Sequence, residues 1–235
     1  MTSRGRRRHL DDTGITLIEL LVSVVLLGVV AAMVSSLFLS ATRTLSQAQS
    51  LTGNTREASN GMNEISRVIR AATENPVSGQ ALNDPAFSSP LTAPLTGESV
   101  TLYAYVNLTS AAQQPVKIRL ALDSSRRLVE TVWPATLLSP GFYGFTTTVP
   151  TSTRIMAGTV APQATGGPAL FTYLLSDGTP LPVPATGTFT VAQLRTIAAV
   201  SVNLTLQPSA TNSQSAVTLQ NTVGMPNLPL TRTGP

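Results

Sequence analysis

The stretch GITLIELLVSVVLLGVVAAMVSSLFL, residues 14–39, decides the fold. From Ile15 to Leu39 it runs 25 residues with a single charge, Glu19, and no proline. As a helix rising about 1.5 Å per residue it is about 37 Å long, enough to cross a hydrocarbon core of about 30 Å. Arg4, Arg6, Arg7 and Arg8 precede it, and Arg43 alone follows closely. Because positive flanks stay inside, the N-terminus is predicted to remain cytoplasmic and everything beyond Leu39 to lie outside.

A secretory signal also has a basic start, an apolar core and small residues such as those of Ala31 to Ser36. Two features weigh against one here. The run is longer than the usual core of about 7 to 15 residues. It also carries a carboxylate near its start, and burying one at mid-helix costs on the order of 2.5 to 3.5 kcal/mol. A plain signal has no use for Glu19.

The segment Gly14-Ile15-Thr16-Leu17-Ile18-Glu19-Leu20-Leu21, directly after a short charged leader, resembles the type IV prepilin signature. The resemblance implies that a membrane-embedded prepilin peptidase cuts after Gly14 and methylates the new amine of Ile15. It also implies that Glu19, fifth in the mature chain, is an assembly carboxylate. Family members usually have Phe where this chain has Ile15. A buried carboxylate is tolerable when a cation pairs with it, and cleavage creates such a cation. The alternative is that Glu19 snorkels to the cytoplasmic interface.

Past Leu39 the pattern becomes amphipathic without a break. Leu45, Ala48, Leu51, Thr55, Ala58, Met62, Ile65, Ile69 and Ala72 recur at spacings of three and four. This stripe is predicted to pack on a head. Gly53 and Gly61 weaken the helix by about 1 kcal/mol each relative to Ala, so fraying is expected there. Pro76 is predicted to end the helix at Asn75.

Beyond Asn75, Pro76, Pro85, Pro90, Pro94 and Gly97 mark an irregular crossing loop. Alternating runs then predict half-buried strands over Val100 to Val106 and around Ile118, Leu120 and Leu122. Asp123-Ser124-Ser125 predicts a turn into Arg127 to Val132. Further strands are expected over Arg154 to Val160 and Leu170 to Leu175, the second ended by Ser176-Asp177-Gly178. Val200, Val202, Leu204 and Leu206 alternate with polar residues; a loop from Ser209 to Gln214 leads into Val217, Leu219 and Val223, predicting an antiparallel pair.

The expected fold is therefore α+β and pilin-like: one long N-terminal helix packed on an antiparallel sheet. Its parts are a leader over 1–14 that is removed, a transmembrane half over 15–39, an amphipathic half over 40–75 and a β-rich head over 76–235. The run Leu170-Phe171-Thr172-Tyr173 with Asp177-Gly178, then Leu194 to Leu206, is similar to W-type minor pilins and to J-type pseudopilins of type II secretion.

Composition narrows the function. The chain has no cysteine, which removes disulfides, zinc-thiolate sites and thiol nucleophiles. It also removes the C-terminal disulfide loop that many pilins close. The one histidine, His9, lies in the leader. No G-x-S-x-G elbow, phosphate loop or H-E-x-x-H is present, so no catalytic residue, cofactor or metal site is assigned and an enzyme is not expected. Asp123 and Glu130 flank a predicted hairpin turn, but turn acids are far commoner than glycosidase pairs. Asp177 lacks the repeated oxygens of a calcium site. Lone Trp133, beside Pro134, reads as core in preference to surface contact. A formal charge of +4 with scattered Lys and Arg gives little support to DNA binding.

The resemblance implies a structural role: a minor pilin-like subunit of a type IV pilus or related fibre serving adhesion, twitching or DNA uptake. The alternatives are a J-type pseudopilin and a membrane-anchored extracytoplasmic binding domain without a fibre. Its implied partners are prepilin peptidase, other pilins or pseudopilins through the helix, and an inner-membrane assembly platform. Its implied location is the cytoplasmic membrane, single-pass, and then a pilus or periplasmic fibre.

Overall fold

A computed structural model of the chain describes residues 16–88, 97–106, 114–146, 148–184, 188–209 and 215–228. The leader, Gly14, Ile15, Pro90, Pro94 and residues 210–214 of the last loop lie outside these. The fold class is α+β, with one long N-terminal helix and antiparallel sheets. Two compact units are present, Met1–Gln47 and Ala48–Pro235.

Helix α1 spans Leu17–Arg70. In the first unit every large apolar residue from Leu17 to Leu39 is exposed, by 47% to 82%. It is a helix long and apolar enough to cross a membrane. Two of its hydroxyls bond within the helix, Ser23 donating to the Glu19 carbonyl at 2.7 Å and Ser36 to that of Met33 at 2.8 Å. Such back-bonding gives these two hydroxyls a partner without water.

In the second unit the apolar stripe is buried from Ala58 onward, through Met62, Ile65, Ile69 and Ala72. Leu51, earlier on the same stripe, stays exposed. The helix stops at Arg70 and not at Asn75. The Thr73 amide instead donates to the Tyr103 carbonyl at 2.8 Å and the Tyr105 amide to that of Ala71 at 3.2 Å. The next backbone groups thus join a strand before Pro76 is reached. Gly61 is not a point of fraying: it is buried, and a Cβ there would lie 2.9 Å from the Cβ of Ala157. The missing side chain is what lets helix and strand approach.

Two antiparallel sheets follow among the described residues. The first contains β1 (Ser99–Ala104), β2 (Val116–Leu122), β3 (Arg127–Ser139) and β4 (Phe142–Phe145) in that order, with β5 (Ser152–Thr159) also paired to β3. The second has the order β7 (Pro180–Leu181), β6 (Phe171–Leu174), β8 (Ala199–Leu206) and β9 (Val217–Gly224). A short helix α2, Val191–Thr196, precedes β8.

The expected hairpin is present, with Ile118 opposite Val132 and Leu120 opposite Glu130. Strand β8 alternates as predicted, with Val200, Val202, Leu204 and Leu206 buried, and pairs antiparallel with β9. Strand β1 departs from expectation because all six residues are buried. Its free edge is taken by the segment around Phe87: the Tyr103 amide donates to the Ala86 carbonyl at 2.8 Å and the Ser88 amide to that of Thr101 at 3.0 Å. Tyr173 joins the sheets, its hydroxyl donating to the Ser99 carbonyl at 2.9 Å. Its ring meets Phe87 and Phe189 edge-on at 5.8 and 5.6 Å.

Candidate functional site

The start of α1 is the candidate site. Thr16 is its cap: the Glu19 amide donates to the Thr16 carbonyl at 3.0 Å and contacts its hydroxyl oxygen at 3.3 Å, and the Leu20 amide donates to the same carbonyl at 3.1 Å. The spacing Thr16-x-x-Glu19 is that of a capping box, a signal present in the sequence that its reading as a cleavage motif leaves aside. Glu19 therefore lies in the first turn, where the exposed amides of the helix favour negative charge. It is exposed. Ile18, Leu20, Leu21 and Val22 surround it along the chain, and it is the one charged residue of the apolar run to Leu39. Gly28, with nothing within 4 Å of a Cβ built there, leaves a smooth notch in that surface. Gly14 and Ile15, the other expected site residues, are outside the described residues.

The acids considered for catalysis are held elsewhere. The Asp123 carboxylate accepts from the amides of Ser125 at 2.9 Å and Arg127 at 2.8 Å, and pairs with the Arg127 guanidinium. The Arg127 amide, and then its side chain, hold this carboxyl below the usual range. Glu130 is buried and accepts from Arg154. The hairpin thus gives the two carboxylates separate structural partners and does not make them an acid–base pair. Asp177 closes its turn by accepting from the Thr179 hydroxyl at 2.6 Å and amide at 2.8 Å, which lowers its pKa. Gly178 follows with φ 82°, as the turn predicted. Trp133 is buried, 8% exposed.

Among the described residues no group of three or more His, Cys, Asp or Glu is placed to hold a metal. A cleft of about 280 Å³ opens between the Arg126 turn and β8, lined in part by Glu98, Arg126, Pro162, Asn203 and Gln207. Arg126 fills one side, donating to Glu98 at 2.6 Å and to the carbonyls of Val160 and Ala161 at 3.0 and 3.2 Å. It is an ordinary surface recess with its charges already paired.

Residues 11–35 match a family model described as the prokaryotic N-terminal methylation motif. The match covers the capped start of α1 and most of its apolar run, and says nothing of the sheets. No curated protein matches the chain.

Proposed function

From a chain whose N-terminal segment carries the methylation motif of the type IV pilin and pseudopilin family, we propose a structural fibre subunit of the minor pilin kind. Prepilin peptidase cuts after Gly14 and methylates Ile15. The division into leader 1–14, membrane half 15–39, amphipathic half 40–75 and head 76–235 belongs to this reading. The head lies outside the cytoplasmic membrane until the subunit enters a pilus or periplasmic fibre. No catalytic role is assigned to it.

The observation that carries the reading is the apolar surface of α1 from Leu17 to Leu39, exposed along its length and bearing one carboxylate in its first turn. Before assembly, lipid covers such a surface; within a fibre, the same helices of sister subunits do. Glu19 then meets the amine of a neighbouring Ile15, an attraction strengthened by the low dielectric of the packed helices.

Mass spectrometry of the N-terminus of the purified native protein tests the processing. A mature chain beginning at methylated Ile15 is expected. Cleavage near Ala32 or an intact Met1 would instead favour export or simple anchoring without a fibre. Glu19→Val tests the pairing: processing continues while incorporation into fibres stops. Normal incorporation of this variant overturns the role of Glu19.

A further inference from the structure

The first sheet has two faces, and the outer one does not look like a solvent face. The inner face carries Leu102, Ile118 and Leu120, fully buried in the core. On the outer face two rows of neighbours cross three strands, Thr101–Arg119–Thr131 and Tyr103–Lys117–Trp133. Directly opposed partners in such rows have Cβ atoms about 4.5 to 5.5 Å apart, so these six side chains form one cluster. Thr101, Tyr103, Lys117 and Trp133 are exposed by only 0%, 8%, 6% and 8%.

The Tyr103 hydroxyl is hydrogen-bonded to Ser88, but three other polar atoms of this cluster have no partner among the described residues. Among the described residues four buried side-chain polar atoms have none, and three of them are here: Thr101 Oγ1, Arg119 Nε and Trp133 Nε1. Neither Lys117 nor Arg119 forms an ion pair among the described residues. The Lys117 ammonium lies 5.9 Å from the centre of the Tyr103 ring, and burial pushes its pKa down while Asp84 pulls it back up. An indole N–H, a guanidinium and an ammonium can only donate, and a threonine hydroxyl can. Leaving such donors buried and unmet costs about 1 to 3 kcal/mol each, more for the charged ones.

We propose that the outer face of this sheet binds a small oxyanion, a carboxylate or phosphate group, between Lys117, Arg119 and the indole N–H of Trp133. Two adjacent cations and a neutral donor, with Tyr103 as an aromatic wall, require a partner that accepts several hydrogen bonds and bears negative charge. The low exposure of the cluster selects a small ion over a polymer backbone. The site is independent of α1, so it can fail while the fibre reading stands, and the reverse.

Trp133 is the only tryptophan of the chain, so its fluorescence reports on this cluster alone. The full-length protein in detergent is titrated with sodium phosphate and, separately, sodium acetate, each against sodium chloride at matched ionic strength. A saturable change in Trp133 emission and a rise in melting temperature are expected with at least one of the two anions. Response to phosphate alone or to acetate alone identifies the group, and response to both identifies a general oxyanion site. Arg119→Gln weakens the response about tenfold or more, as loss of a charged donor implies, while Arg56→Gln on the exposed side of α1 leaves it unchanged. Should Lys117→Met fold, it melts at the same temperature with and without the anion. No saturable change beyond chloride, or equal responses from wild type and Arg119→Gln, overturns the proposal.

Discussion

Arg154 on β5 stands 3.0 Å from the carboxylate of Glu64 on α1, so one guanidinium ties the helix to the sheet. The same group also donates to Glu130 on β3, which is only 4% exposed. Glu130 faces the helix in the row that includes Leu120, and without Arg154 its charge would be buried and alone. Arg154→Ala is therefore expected to destabilise the head by about 1.5 to 3 kcal/mol, read by urea denaturation followed through Trp133 emission. Glu64→Gln, which removes the more exposed arm, costs less. A larger loss from Glu64→Gln than from Arg154→Ala would refute this ranking.

Acid should weaken the same link. Hydrogen bonds from Arg154, and then from Arg67, lower the pKa of Glu64 below its ordinary 4.5. A carboxylate with a depressed folded-state pKa contributes stability that is complete above its unfolded value and is lost as pH falls through the folded one. Stability attributable to Glu64 is thus constant at neutral pH and declines as the pH drops below about 4.5. Comparing denaturation midpoints of wild type and Glu64→Gln at pH 7 and pH 3 checks this: the gap narrows at the lower pH. A gap that widened on acidification would contradict the assigned sign.

Two glycines of α1 should respond in opposite directions to the same substitution. At Gly53 nothing lies within 4 Å of a built Cβ, so Gly53→Ala stabilises the helix by up to about 1 kcal/mol. At Gly61 the new methyl would meet the Cβ of Ala157 at 2.9 Å and the Met156 carbonyl at 3.3 Å, neither of which is a flexible side-chain end. Gly61→Ala is expected to lose more in packing than it gains in propensity, a net destabilisation of about 1 to 3 kcal/mol. Thermal melting of both variants decides it.

The contrast between these glycines shows where the sequence was readable. Period and composition expose what a segment does on its own. The apolar run to Leu39, the alternation of β8 and the Asp123 turn are all local patterns, and each is found as predicted. Tertiary competition is not local. The helix ends at Arg70 because the backbone after it pairs with Tyr103 and Tyr105, and the pattern up to Pro76 holds no trace of that. Burial of both faces of β1 depends likewise on groups remote in sequence. Helix α2 was legible and missed: Thr190 and Gln193 form a full capping box, a signal obscured by the apolar run that follows. For the candidate site, the position of Glu19 in the first turn of the helix could be read directly, whereas the outer-face donors required the strand register, since nothing in the sequence aligns Lys117 with both Tyr103 and Trp133.

The hydroxyl and the ring of Tyr173 make separable contributions to the join between the two sheets. The residue is fully buried, its hydroxyl donates to Ser99 on β1, and its ring packs edge-on against Phe87 and Phe189. Burial alone pushes its pKa up, far beyond the range in which an exposed tyrosine ionises. Tyr173→Phe keeps the ring contacts and removes one neutral hydrogen bond, at a cost of about 0.5 to 1.5 kcal/mol. Tyr173→Ala empties the space between the sheets and costs about 3 to 5 kcal/mol, the range for deleting a buried aromatic. Denaturation of the pair measures the split, and spectrophotometric titration supplies a second reading: in the folded wild type Tyr173 stays un-ionised until the protein unfolds in base, and Tyr173→Phe removes one tyrosine from that late step. Equal losses from the two substitutions would show that the hydrogen bond, and not the ring, holds the sheets together.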